Sequence, residues 1–164
     1  MEISKTSCLS NIDCVILAGG FGTRLGLPIP KVLAYIDGRH FLSILLEHLK
    51  KFGAKRIILS LGYKSHIVEK FLQQNRPSGL TILSCVEPQP MGTAGAIRYV
   101  RSLLRSDLTL LMNGDTLVNI NFYYFISKHI TTGAEASVLC DLNDVSTGIY
   151  LFSQTALDRL VSLT

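Results

Sequence analysis

The chain has 164 residues, 48% of them hydrophobic, with 16 Lys and Arg against 12 Asp and Glu for a formal net charge of +4. That length buries one sizeable core, no apolar run reaches the roughly 20 residues of a membrane helix, and the basic residues are scattered instead of striped with aromatics, which argues against nucleic acid as a partner. The opening residues "MEISKTSCLSNID" lack the apolar centre of a signal peptide, so a soluble cytoplasmic protein with no membrane partner is expected.

Short β-branched or Leu-rich runs alternate with segments of helical period along the chain. "CVILA" (Cys14 to Ala18) reads as the first strand and leads into the loop "LAGGFGTRLGLPIPKVL". Phe41, Ile44, Leu45, Leu49 and Phe52 recur at helical spacing, then "RIILSL" (Arg56 to Leu61) reads as a strand. Ile67, Val68, Phe71 and Leu72 mark a second helix and "TILSCV" (Thr81 to Val86) a third strand. A helix is expected from Thr93 to Leu104, a strand at "LTLLMN" (Leu108 to Asn113), a helix from Phe122 to about His129 with Thr132-Gly133 as its stop, and a strand at "ASVLC" (Ala136 to Cys140). This is the pattern of βαβ units, and the fold class it predicts is α/β, a Rossmann-like mainly parallel sheet flanked by helices.

Cys8, Cys14, Cys85 and Cys140 show no paired spacing and read as buried thiols. His40, His48, His66 and His129 share no metal-ligand spacing and read as surface or satisfied structural residues.

The loop after the first strand carries the chemistry. It leaves the carboxyl end of a strand, where open α/β sheets bind ligands, and its glycines let backbone N–H groups approach an anion closely. Arg24 and Lys31 add positive charge there. A P-loop is excluded because Lys31 is followed by Val32, and a dinucleotide fingerprint because Pro28 and Pro30 interrupt the helix it requires. Glycines alone would equally suit a bare surface loop, and an Asp after Gly, as in "MNGDT" (Met112 to Thr116), is usually a turn former.

Several motifs together weigh against that. "LAGGFGTRL" followed by "PKVL", then "EPQPMGTAGAI" (Glu87 to Ile97), "MNGDT" and "STGIYLFS" (Ser146 to Ser153), resemble in kind and order the motifs of the sugar-1-phosphate nucleotidylyltransferases. Their combination looks most like the heptose 1-phosphate guanylyltransferase branch. The resemblance covers nearly everything from Cys14 onward and implies a nucleotide-diphospho-sugar transferase type of sheet. It also implies transfer of a nucleoside monophosphate from a triphosphate, GTP favoured, to a sugar 1-phosphate, with Mg²⁺ as cofactor and a setting in bacterial envelope sugar metabolism.

Arg24 is accordingly assigned to the β- and γ-phosphates, Lys31 to the α-phosphate and the incoming phosphate, and Asp115 to Mg²⁺. Gly20, Gly22 and Thr23 would offer backbone donors. Nucleotide recognition falls on Leu17, Ala18 and Gly19 and on Glu87, Pro90, Gly92 and Thr93. The Glu87 carboxylate can accept from both N1–H and the N2 amine of guanine, whereas uracil or thymine offers one ring donor there. The resemblance puts Thr147, Gly148 and Tyr150 beside the sugar phosphate, although Tyr150 could equally be a core aromatic.

The chain departs from its relatives in three places. Only seven steps separate Arg24 from Lys31, and "CDLNDV" runs straight into "STGIYLFS", where relatives carry a longer segment with a Glu-Lys pair whose lysine contacts the sugar phosphate. Their second metal aspartate, further along, has no counterpart. The organisation expected is an extension over 1–13 and one nucleotidyltransferase domain over 14–164, lacking internal loops and a C-terminal part. The alternatives are a transferase acting on mannose, glucose or N-acetylated sugar 1-phosphates with GTP, UTP, CTP or dTTP, a non-catalytic nucleotide or sugar-phosphate binding module, and an interaction domain. A homo-oligomer is compatible with the sequence, which carries no mark of oligomeric state.

Overall fold

A computed structural model describes residues 5–20 and 28–162. Six strands form one sheet: β1 (Asp13–Ala18), β4 (Arg56–Leu61), β5 (Thr81–Val86), β6 (Leu108–Asn113), β7 (Ala136–Cys140) and β8 (Ser146–Ser153). Two-residue strands β2 (Tyr35–Ile36) and β3 (Arg39–His40) make a separate small hairpin. The order in the main sheet is β5-β4-β1-β6-β8-β7, and β8 alone runs against its neighbours. The chain thus steps outward from β1 to β5 and then returns to β1's other side with β6. That reversal puts a topological switch point beside β1, where such sheets open a crevice at the strands' carboxyl ends.

Alternation along the strands sorts side chains to two faces. Cys14 and Ile16 of β1, Ile57, Leu59 and Leu61 of β4, and Leu110 and Met112 of β6 face a core completed by α1 (Phe41–Lys51), α2 (Ser65–Asn75) and α4 (Phe122–Thr132). Val15, Ile58 and Leu111 face the other way, against α3 (Gly92–Val100) and α5 (Gln154–Ser162). Each helix is held by an apolar stripe, such as Phe41, Leu42, Leu45, Leu46 and Leu49 of α1. The residues before β1 join the same core: Leu9 is fully buried and its N–H donates to Phe52 O at 3.0 Å.

At the sheet's amino-terminal edge, Asp13 is a knot. Its Oδ1 accepts from Arg56 Nη1 at 2.6 Å and its Oδ2 from the backbone N–H of Arg105 and Ser106 at 2.5 and 2.9 Å. Burial pushes this carboxyl up, but the two N–H donors and Arg56 together outweigh it, so the group sits below the ordinary carboxylate value.

Some expectations need correction. The helix placed over Thr93 to Leu104 is α-helical only over Gly92–Val100 and tightens into a 3-10 turn at Arg101–Leu103. The helix ending near His129 continues to Thr132, because Gly133, at φ +63°, is the first residue suited to the left-handed turn that stops it. Of the cysteines, all free, Cys8 and Cys14 are buried, whereas Cys85 is half-buried and Cys140 exposed, since both lie on edge strands with one open face. His129 is buried against Ser137 Oγ at 2.8 Å, but Nε2 of His48 is buried without a partner among the described residues, packed among Phe52 and Phe122. The two-residue strands of the β2–β3 hairpin are too short to show a period, and α5 begins directly after β8 with no break between them.

Candidate active site

The crevice floor is backbone. Beyond the ends of β1, β4 and β6 the ladder continues for a residue or two: Gly114 N–H donates to Leu17 O at 2.7 Å, Tyr63 N–H to Gly19 O at 3.3 Å, and Glu87 N–H to Leu61 O at 2.7 Å. No side chain fits between these segments. A Cβ on Gly62 would lie 2.5 Å from Gly19 O, and one on Gly114 2.7 Å from Leu17 O, both well inside contact distance.

Glu87 stands on this floor. Leu83, Cys85 and Glu87 alternate onto the α3 face of the sheet, and Ser60, paired with Cys85 in the neighbouring strand, shares that face. Ser60 Oγ donates to Glu87 Oε1 at 2.7 Å, and Met91 N–H donates to Oε2 at 3.2 Å. The carboxylate lies over Gly19, where a Cβ would meet Oε1 at 2.8 Å. Burial, with the charge of Glu87 second, pushes the neighbouring Cys85 thiol up. A cleft of about 240 Å³ opens between these groups, lined by Leu17, Gly20, Glu87, Pro90, Thr93 and Asn113 among others. Gly92 also lines it and opens α3, which directs that helix's amino end at the cleft.

Lys31 and Asp115 meet across the same edge. Pro30 enters a 3-10 turn at Lys31–Leu33, whose Val32 and Leu33 are buried, so the lysine alone of the three points outward. Its Nζ donates to Asp115 Oδ2, directly after β6 and Gly114, and Thr116 Oγ1 donates to Oδ1 at 3.3 Å. Both partners stay partly exposed, at 40% and 37%. Among the described residues no group of three or more His, Cys, Asp and Glu could hold a metal ion, so any cation here would rest on Asp115 and its ligand's own oxygens.

On the β8 side, Gly148 has φ +78°, and a Cβ there would lie 2.1 Å from Asn113 Nδ2, so the glycine makes room for the asparagine that ends β6. Thr147 Oγ1 donates to Leu139 O at 2.8 Å across an irregular register between β7 and β8. Tyr150 lies one layer below the crevice, opposite Leu111, stacked on Phe152 with ring centroids 6.0 Å apart. Its hydroxyl is 3.0 Å from Ser146 Oγ.

With this geometry in hand, the sequence profile described as "Nucleotidyl transferase" matches residues 13–148. The chain belongs to the nucleotidyl transferase family. Among curated relatives it is similar to the D-glycero-alpha-D-manno-heptose 1-phosphate guanylyltransferases of Aneurinibacillus thermoaerophilus (33% identity, covering 77% of this chain and 56% of the relative) and Campylobacter jejuni (35%, covering 67% and 50%). It spans about half the length of these relatives. Among solved structures it resembles HddC from Yersinia pseudotuberculosis, with a TM-score of 0.77 at 28% identity over 90% of this chain and 79% of that one. A second HddC structure, complexed with GMP-PN, matches at a TM-score of 0.75 over 88% and 77%.

The fold brings Leu17, Ala18, Gly19, Gly20, Lys31, Glu87, Pro90, Gly92, Thr93 and Asp115 together along one edge of the sheet. Gly148 reaches it through Asn113, while Thr147 and Tyr150 are engaged within the β7–β8 pair. Gly22, Thr23 and Arg24 lie outside the described residues. Sequence reasoning missed Ser60, Gly62 and Asn113. A serine inside the otherwise apolar "RIILSL" was the one available signal, since a buried hydroxyl implies a partner.

Proposed function

We propose that the chain transfers a nucleoside monophosphate from a nucleoside triphosphate, GTP favoured, to a sugar 1-phosphate, heptose 1-phosphate favoured. An oxygen of the sugar phosphate attacks the α-phosphorus, the bond from that phosphorus to the bridging oxygen breaks, and pyrophosphate leaves with its electron pair. The nucleophile is already an anion, so charge neutralisation and alignment, and no general base, are what the protein must supply.

The meeting of Lys31 and Asp115 just past the carboxyl end of β6, whose last residue Asn113 lines the cleft walled by Glu87, is the observation that carries this reading. Lys31 would hold the α-phosphate and the incoming phosphate, with Arg24 on the β- and γ-phosphates. Backbone N–H groups at Gly20, Gly22 and Thr23 would add donors. Leu17, Ala18 and Gly19 would form the floor under the nucleoside, with Pro90, Gly92 and Thr93 as its wall and Glu87 reading the base. Thr147, Gly148 and Tyr150 would border the sugar phosphate. Divalent metal is common in this family, and Asp115, accessible and at a strand end, suits the one-carboxylate binding that Mg²⁺ accepts beside phosphate oxygens. When bound, Mg²⁺ would neutralise phosphate charge. The setting inferred is cytoplasmic sugar-nucleotide synthesis; among the described residues no helix is long and apolar enough to cross a membrane.

Pyrophosphate release with Mg²⁺, pairing each of four nucleoside triphosphates with heptose, mannose and glucose 1-phosphates, tests the proposal. Release with GTP and heptose 1-phosphate supports it, and release with another pair reassigns the substrates within the same chemistry. A second reading, nucleotide binding without transfer, is favoured by the short β7–β8 turn, in which Leu142 is fully exposed and covers nothing. Triphosphate binding with no release across the panel would select it.

A further inference from the structure

The fourth strand carries a polar residue that the transfer chemistry does not use. In "RIILSL" the four residues Ile57 to Ser60 are completely buried, and only Ser60 among them has a polar side chain. A hydroxyl in that position needs a partner, and its partner is Glu87, whose Oε1 accepts at 2.7 Å.

Three contacts then define how Glu87 presents itself. Ser60 occupies one acceptor site of Oε1, the Met91 N–H occupies one of Oε2 at 3.2 Å, and the bare Cα of Gly19 lies beneath the carboxylate. Each carboxylate oxygen offers about two acceptor sites. One site per oxygen is therefore left, side by side, and the cleft between Leu17 and Thr93 is where a ligand can reach them. Two parallel acceptors match a base edge with two adjacent N–H donors. They do not match an edge with a single donor or one flanked by acceptors.

We infer that Ser60 is a positioning residue for base selection: by holding Oε1, it fixes the Glu87 carboxylate in the rotation that accepts two adjacent base donors. The inference rests on the nucleotide-binding reading above. Without the serine, Glu87 keeps its charge and its Met91 contact but can turn about its terminal bond. An ionic hydrogen bond that is held in place contributes more than one that must first be ordered.

The test compares GTP with ITP, which keeps the N1–H and lacks the N2 amine, by calorimetric titration of the full chain with Mg²⁺. Wild-type protein should prefer GTP by about tenfold, the scale of one charge-assisted hydrogen bond. Ser60→Ala should contract that preference to about two- to threefold at near-unchanged thermal stability, because both base contacts must then be ordered on binding. In a Glu87→Gln background, Ser60→Ala should change the preference no further, so that its effect appears only where the carboxylate it positions is present. Ser60→Cys, of similar size but a weak donor, should fall between and stands in if the alanine variant does not fold.

An unchanged GTP preference in Ser60→Ala, or an equal loss of affinity for GTP, ITP, CTP and UTP, overturns the inference and leaves the transferase reading intact. Equal binding of GTP and ITP by wild type overturns it through Glu87. Absence of any triphosphate binding by wild type overturns the transferase reading itself.

Discussion

Lys31 and Asp115 are 84 residues apart in sequence and form an ion pair that bridges the segment after β1 to the end of β6. Both side chains remain more than a third exposed, so the pair is of the kind that contributes only about 0–1 kcal/mol to stability. Its placement at the carboxyl edge of the sheet, beside the strand whose Asn113 lines the cleft, is better explained by ligand charge than by folding. Lys31→Ala and Asp115→Asn should each lower kcat about 100-fold or more, the scale of a lost charge-stabilising group, while Tm barely moves. Steady-state kinetics beside thermal unfolding checks both halves, and wild-type turnover in either variant would remove that residue from the site.

The glycines of the crevice floor should separate by what a methyl group would strike. At Gly19 the obstacle is the end of the Glu87 side chain, which can swing away, so Gly19→Ala should fold almost normally and lose GTP affinity about tenfold or more. At Gly114 the obstacle is the carbonyl of Leu17, and at Gly62 that of Gly19. Alanine at those two positions should cost about 1–3 kcal/mol, as overpacking does. Urea unfolding together with nucleotide titration of the three variants distinguishes the classes, and equal stability losses at all three would contradict this account.

Asp13 governs the acid limb of stability. Its native carboxyl holds a proton less tightly than the unfolded chain does, because the N–H groups of Arg105 and Ser106 and the Arg56 guanidinium outweigh its burial. The stabilisation is therefore complete above the unfolded carboxylate value and is lost as pH falls from about 4 through the lower native value. Asp13→Asn should flatten that part of the stability profile. Asp13→Ala should cost about 3 kcal/mol near neutrality by leaving Arg56 and two N–H groups without their acceptor. Unfolding midpoints measured from pH 3 to 7 would show both effects, and a parallel acid limb in Asp13→Asn would exclude this carboxyl as its source.

Thiol labelling should report the sheet's edges. Cys140 is exposed at the end of β7, whereas Cys14 is fully buried in β1 and its thiol is pushed far above the ordinary range, chiefly by burial, with the charge of Asp13 next. A thiol reagent should modify Cys140 first and Cys14 only on unfolding. Peptide mass analysis of a labelling time course would reveal any other order.

The strands were legible because each is a short β-branched or Leu-rich run, and the helices α1, α2 and α4 because their apolar residues repeat at helical spacing. α5 is amphipathic as well, but it starts at Gln154 immediately after β8 ends at Ser153, so no turn residue separates the two in sequence. β2 and β3, with two residues each, carry no period at all. Of the candidate site, motifs singled out Lys31, Glu87 and Asp115, and the fold brings them to the carboxyl edge of one sheet. Ser60 and Asn113 were not legible, because their parts depend on which strands lie side by side. Ser60 matters only once β4 pairs with β5, and Asn113 only once β8 folds back over β6.

A floor made of main chain also bears on how such a site can change. Gly19, Gly62 and Gly114 leave peptide groups where another protein would place side chains, so the grip on whatever lies above them does not depend on side-chain identity. On the proposed reading, the residues that discriminate, Glu87 with its supports and the β8 rim, stand at the border. Substitution there would then redirect which base or which sugar is accepted without disturbing the main-chain platform beneath.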